Sequence, residues 1–342
     1  MTNLQLISAF EDWFKAGNGF DTIVQARQFA ATNLGEPILP GTAQAKMIDE
    51  NIERALVRVA RSLIQSDPAQ TYDRLVELYQ HQPTLATRSS TSVLQQAYST
   101  PLPIASLAAT LVGIDSRTTV YEPSAGNGAL LLHTHPDQVT ANELNPARAD
   151  DLRHQGFTVT QEDAASYLPR RSHDVVIINP PFGSLPEGNR TKKFHTGKYV
   201  TTQIDHAIAL NALKAMKDDG KAVLILGGKL GTDNEKRSDR YNTRESRAFY
   251  YTLYNAYNVT EHISIWGGLY RKQGAGFPID LIVISGRGQS TRSLPAAHVP
   301  NIYRSFTELK ELLYAAVLQQ SQNLESTTGS SSISRFSSRG YG

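Results

Sequence analysis

Between residues 118 and 285 the hydrophobic period of the chain switches back and forth, and that alternation admits few folds. β-Branched runs occur at 118–121, 138–141, 157–160, 174–178, 222–226, 259–266 and 279–285. Helical stretches separate the first five, notably 146–154 and 204–216. Strands that alternate with helices through short loops pair in parallel, because each crossover helix returns the chain to the same end of the sheet. The expected fold class is therefore α/β, a doubly wound sheet of seven strands whose last two form a hairpin.

The flanks read differently. Residues 1–90 form a helical N-terminal region. Its clearest stripe is Ile48, Ile52, Ala55, Leu56, Val59 and Leu63, and a second is Tyr72, Leu75, Val76 and Tyr79 between Pro68 and Pro83. A Ser/Thr-rich connector spans 84–100, after which Thr100 can cap a helix with Pro101 at its first position. The α/β domain is expected over 91–290, a C-terminal helical segment over 291–325, and a disordered Ser/Gly/Arg tail over 326–342.

Composition narrows the chemistry. Lys and Arg total 34 against 32 acids, a net charge of +2, so any nucleic-acid site needs local clustering. No cysteine is present, which excludes disulfides, thiolate metal sites and thiol nucleophiles, and the nine histidines show no metal-ligand spacing. No basic segment precedes an apolar stretch, and no run reaches the ~18 apolar residues of a membrane span. A cytoplasmic protein with no membrane partner is expected.

Tyr121-Glu122-Pro123-Ser124-Ala125-Gly126-Asn127-Gly128 follows the first strand and is expected to open a helix. Glycines let the backbone pass close to a ligand. A dinucleotide fingerprint needs a third glycine where Leu131 stands, which disfavours a pyrophosphate. Glu143, 17 residues after Gly126, follows the second strand, where a carboxylate can accept from both hydroxyls of a ribose. Asp163 stands similarly after the third strand and can accept from an adenine amino group. Three such strand ends describe a nucleoside pocket without a phosphate clamp, which suits S-adenosylmethionine better than NAD. The alternative is a tight turn with two surface acids.

Asn179-Pro180-Pro181-Phe182 follows the fourth strand. Two prolines fix an extended, rigid turn. Such a turn can direct the Asn179 amide oxygen and the Pro180 carbonyl towards the two N–H bonds of a planar aromatic amine, with Phe182 stacked on the base. That grip turns the nitrogen lone pair towards a methyl donor, so orientation supplies most of the catalysis. A base inside a duplex cannot reach this turn and must be flipped out. The alternative is an ordinary Asn-Pro turn at a strand end.

These residues resemble the amino-methyltransferase superfamily, and their order is similar to the gamma class of adenine-N6 DNA methyltransferases. Tyr98-Ser99-Thr100-Pro101 stands where that class has its Tyr-x-Thr-Pro motif, ahead of the glycine turn. The resemblance implies a Rossmann-like class I methyltransferase sheet. It also implies cofactor contacts from Tyr98, Thr100, Pro101, Glu122, Pro123, Gly126, Gly128, Glu143 and Asp163, with Tyr98–Pro101 covering the methionine end. Asp205 matches the helical motif lining the pocket, and Phe277-Pro278-Ile279-Asp280 the segment flanking the flipped base. Gamma-class enzymes usually carry a large recognition domain after the catalytic one, and only about 55 residues follow Gly286, by the composition-based division of the chain. That shortness resembles phage and mobile-element methyltransferases, antirestriction proteins included, that are fused to a Strawberry-notch-type helicase. It implies low sequence specificity, a fused or associated helicase, and a bacterial or phage-infected cell.

Two insertions are basic. Residues 183–203 carry Arg190, Lys192, Lys193, His195 and Lys198 against the single acid Glu187, and adjoin the catalytic turn. Lys192, Lys193 and Lys198 are the expected phosphate contacts. Residues 229–275 carry eight Lys and Arg, with Tyr250, Tyr254 and Tyr257 on one helical face and expected in the core. Methylation of an RNA base or of protein glutamine, and a cofactor-binding nucleic-acid scaffold, are the competing readings.

Overall fold

The computed structural model describes residues 2–85, 98–197, 199–229 and 231–333. Most of the connector (86–97), Lys198 and the last nine residues of the expected tail lie outside them.

The N-terminal region is α1 (Asn3–Lys15), α2 (Ile23–Leu34), α3 (Ala43–Ser62) and α4 (Pro68–His81). Each starts on a side chain that accepts from the first turn: Thr2, Thr22, Thr42 and Asp67. The predicted α3 stripe is inward, with Ile48, Ile52 and Ala55 fully buried. Trp13 stacks on Phe20 at 5.4 Å, tying α1 to the loop before α2.

The strands are β1 (Val120–Glu122), β2 (Val139–Asn142), β3 (Thr158–Thr160), β4 (His173–Ile178), β5 (Pro186–Glu187), β6 (Arg190–Thr191), β7 (Phe194–Thr196), β8 (Tyr199–Thr201), β9 (Met216–Gly227), β10 (Tyr257–Ile265), β11 (Ile279–Arg287) and β12 (Ile302–Tyr303). Eight of them make one sheet in the order β12-β10-β11-β9-β4-β1-β2-β3. Neighbours pair in parallel except β11, which is antiparallel to both β9 and β10. All seven predicted strands are present, in the order of a Rossmann-like class I methyltransferase sheet. The eighth, β12, has two residues, too few for any alternation to show in sequence.

Alternation along the strands builds two cores. Val175 and Ile177 of β4, with Val223 and Ile225 of β9, face α5 (Leu102–Val112) and the N-terminal helices. Val176, Ile178, Leu224 and Leu226 face α7 (Ile204–Ala212) and α9 (Arg244–Ala256), which follow α6 (Pro146–His154) and α8 (Asn234–Tyr241) in the chain order. Both faces are covered, which is why these strands read as unbroken apolar runs. Tyr250 and Tyr254 of α9 lie in the second core, as their helical spacing predicts; Tyr257 is buried there too, but as the first residue of β10 and not on the helix.

Three expectations change, and one segment that had none acquires a structure. The glycine turn leads into a single 3-10 turn, Ala129–Leu131, instead of an α-helix, because Pro136 forbids helical continuation a few residues on. The 183–203 insertion is two small hairpins, β5–β6 and β7–β8. Helix 204–216 is cut at Ala212 and β9 starts early, at Met216. At the C-terminus α10 (Phe306–Ile333) packs on α4 and α5 and runs past the expected tail start at 326, since an anchored helix extends without a new nucleus. Among the described residues no helix is long and apolar enough to cross a membrane.

Asp280 anchors the second core. Its carboxylate is fully buried and accepts from Tyr241 (2.8 Å), Tyr250 (3.1 Å) and Ser264 (2.7 Å), with His262 Nε2 at 3.3 Å. Burial alone would raise its pKa, but the neighbouring His262 imidazole, then the hydrogen bonds from Ser264 and Tyr241, hold it below the usual aspartate range. The stabilisation is therefore complete above the unfolded aspartate pKa of about 3.9 and is lost as pH falls through the lower folded value. Asp280→Ala should cost about 3–5 kcal/mol in urea unfolding at pH 7, because three hydroxyls lose their acceptor. A loss below 1 kcal/mol would show that the hydroxyls find other partners.

Candidate active site

The C-terminal ends of β1–β4 open on a cleft of about 350 Å³. Asn142, which no motif points to, stitches its floor. Its Nδ2 donates to Pro123 O (3.0 Å) and Glu162 O (2.9 Å), and its Oδ1 accepts from Thr160 Oγ1 (2.7 Å) and Glu162 N (2.9 Å). One buried amide thus joins the ends of β1, β2 and β3. Gly126 and Gly128 take φ +56° and +84°, the left-handed region that only glycine enters freely. At Gly128 a Cβ would also sit 3.1 Å from Leu152 of α6, so this residue serves packing and does not line the cleft.

Glu143 is buried at the cleft wall. Its Oε2 accepts from Gly126 N and its Oε1 from Asn145 N, both at 2.8 Å, with Arg148 Nε at 3.6 Å. The carboxylate thereby fixes the glycine turn and keeps spare lone pairs for a ligand hydroxyl. Glu122 is 2% exposed and its Oε2 has no partner. Burial, then the charge of Glu143, pushes its carboxyl well above the usual range. Asp163 is exposed on the opposite wall and uses Oδ1 to cap Ala165 N at 3.0 Å.

At the end of β4, Asn179 Nδ2 donates to Tyr98 O (2.9 Å) and Thr100 Oγ1 (2.8 Å). A backbone carbonyl only accepts, so the amide has one orientation, and Oδ1 is left buried without a partner. Thr100 consequently serves Asn179 and does not cap α5, whose N-terminus has no side-chain cap. Glu122 Oε2, Asn127 Oδ1, Arg148 Nε and Asn179 Oδ1 all lack hydrogen-bond partners, and all four residues line the cleft. Buried polar atoms left open on one cavity mark a place for a polar ligand.

The cleft lining also includes Tyr98, Thr100, Pro123, Gly126, Pro181 and Lys192. Pro101 starts α5 behind it, and Pro180 is buried outside the lining. Phe182 is 8% exposed and packs beside Gly227, away from the lining where it was expected to meet a base. Asp205 is also behind the lining, its Oδ2 facing Gly227 N at 3.4 Å, while Ile204 and Ile208 of the same helix reach the cleft. Lys193 and Phe277 are exposed and outside the cleft lining, Phe277 at 54%. Asp280 of the same segment points into the core, away from any base. Two cations of the 229–275 insertion are structural: Arg237 donates to Ser264 Oγ (2.8 Å) and Lys272 to Gln82 O (2.6 Å). Among the described residues no acidic or histidine cluster could hold a metal.

No family model and no curated protein matches the chain. Solved structures of similar fold include a Listeria monocytogenes protein assigned to the class I S-adenosylmethionine-dependent methyltransferases, at 12% identity and TM-score 0.44 over 93% of this chain and 97% of that one. A Vibrio vulnificus protein assigned as a modification subunit of a type I restriction enzyme is similar at 12% identity and TM-score 0.47, covering 84% of this chain and 64% of that one. The type IIG restriction endonuclease BpuSI is similar at 15% identity and TM-score 0.43, covering 79% and 31%. No residue role follows from likeness at this level.

Asn142→Ala should lower stability by about 2–4 kcal/mol, since two carbonyls, an N–H and a hydroxyl lose their partner at once. An unchanged urea midpoint would mean the backbone ladder alone holds the three strand ends.

Proposed function

We propose that this chain is an S-adenosylmethionine-dependent methyltransferase acting on the exocyclic N6 amino group of an adenine flipped out of DNA. The orientation of Asn179 carries the reading: its amide oxygen is free, buried and fixed at the edge of a nucleoside-sized cleft. S-adenosylmethionine, when bound, supplies an electrophilic methyl group. The strand-end residues fit it, because Glu143 can accept from ribose hydroxyls, Asp163 from an adenine amino group, and the open atoms of Glu122 and Asn127 suit the amino-acid head.

Towards the acceptor, Asn179 Oδ1 takes one N–H of the target amine, and the Pro180 carbonyl is the proposed acceptor for the other. Both bonds leave the nitrogen lone pair directed at the methyl. With S-adenosylmethionine bound, the amine held by Asn179 and Pro180 would accept the sulfonium methyl, and its N–H proton would leave to water. No strong base is needed. Lys192 at the cleft, with exposed Lys193 and Arg190 on the β5–β6 and β7–β8 hairpins, supports a phosphate backbone at this mouth. The helicase partner that the resemblance implies belongs to the same proposal.

Asn179→Ala should reduce methyl transfer to below about a tenth while cofactor affinity stays within a few-fold, because the lost acceptor faces the target amine. Glu143→Ala should do the reverse, weakening cofactor binding by about 2–4 kcal/mol. Equal effects of both variants on calorimetric affinity would remove this division of roles. For the mouth, Lys192→Ala with Lys193→Ala should weaken DNA binding for all sequences alike and flatten the dependence of log affinity on log salt by ~2 units at most. An unchanged slope would place the DNA elsewhere.

A further inference from the structure

Helix α3 of the N-terminal region lies against the back of the cleft. Arg58 pairs with Asp151 of α6 at 2.8 Å, Arg61 donates to Gln155 at 2.7 Å, and Arg54 reaches Ala147 O at 3.4 Å. The Arg61 guanidinium lies over the Phe157 ring at 4.9 Å, and a Cβ on Gly128 would be 3.7 Å from its Nη2. These ties seat one face of α3 directly behind the glycine turn. On that face Glu53 is near enough to Ser99, Asn127 and Arg148, three residues that line the cleft, for each to stabilise its carboxylate. Its Oε1 is buried and has no hydrogen-bond partner, like Asn127 Oδ1 and Arg148 Nε beside it.

A buried carboxylate with an open oxygen costs stability, so a purely structural purpose for it is poor. Three otherwise separate pieces meet at Glu53: the segment before α5, the glycine turn and the start of α6. Burial pushes the Glu53 carboxyl up, while Ser99, the charge of Arg148 and Asn127 draw it back, and Glu50 is the acid that faces it.

We propose that the N-terminal helical region backs the cofactor site from behind its lining, and that Glu53 is a positioning residue which sets Ser99, Asn127 and Arg148 for the amino-acid head of an S-adenosyl ligand. The inference rests on the reading of the cleft as an S-adenosylmethionine site. It gives residues 1–85 a function that their helical pattern alone does not disclose. Glu53 does not itself line the cleft, so its effect passes through the three residues it holds.

The test compares Glu53→Ala and Glu53→Gln with the parent by calorimetry, using S-adenosylhomocysteine and its headless analogue 5′-methylthioadenosine. Glu53→Ala should weaken S-adenosylhomocysteine about tenfold and leave 5′-methylthioadenosine within about twofold, a difference of one lost hydrogen-bonding partner. Glu53→Gln, which still accepts from Ser99 and Asn127, should recover most of the loss. The ligand-free variants should melt no lower than the parent. Equal weakening of both ligands, or no weakening of either, overturns the proposal. A fall of several degrees in the ligand-free melting temperature also overturns it, because Glu53 would then be a structural tie. If the parent binds neither ligand, the S-adenosylmethionine reading fails, and the melting comparison still decides whether Glu53 is structural.

Discussion

The two hydrogen bonds donated by the Asn179 amide organise this molecule. They run to the Tyr98 carbonyl and the Thr100 hydroxyl, joining the end of β4 to the segment that leads into α5. Without them the amide could turn either way, and a donor in place of an acceptor would repel an amine's N–H. Two following prolines remove the backbone freedom that would otherwise blur the position. Rigidity at this point has a source further down. β4 is the centre of a sheet covered on both faces, with Val175 to Ile178 almost fully buried.

Around that fixed point the cleft holds polar atoms that the protein leaves open. Glu122, Asn127 and Arg148 contribute one each, and Glu53 adds another from behind. Each costs stability in the ligand-free chain, and folding tolerates the set because two apolar cores lie on either side of the sheet. The Asp280 cluster is the contrast. It is as buried and as polar, yet its oxygens are surrounded by donors from Tyr241, Tyr250 and Ser264. At the Asp280 carboxylate the donors hold the fold together, whereas at the cleft the open atoms are available to a ligand.

Much of this was legible in the residues. The short β-branched runs give all seven principal strands, because strands buried on both faces leave an apolar signal that short loops delimit clearly. Gly126, Glu143 and Asn179 declare themselves through their places at strand ends. Asn142 does not, since an asparagine closing a strand has no spacing to mark it, and its four bonds exist only once β1, β2 and β3 are side by side. Glu53 is hidden for a similar reason. On α3 it reads as one more solvated acid, and only docking of that helix against α6 turns it inward. For Phe182 the motif position suggests stacking on a base, and the structure adds that its ring packs in the core beside Gly227. The missing helix after Gly128 is a matter of competition, in which Pro136 outweighs the helix-forming run Ala129–Leu131.

The central claim is that the free Asn179 oxygen holds an adenine amino group for methylation. The most direct measurement incubates the protein with isotopically labelled S-adenosylmethionine and, separately, duplex DNA, single-stranded DNA, RNA and a protein mixture, and then identifies the labelled product by mass spectrometry. The account predicts label in N6-methyladenine from DNA, and its loss in Asn179→Ala. Label on cytosine carbon, on RNA alone or on glutamine, or no transfer to any acceptor, would contradict it.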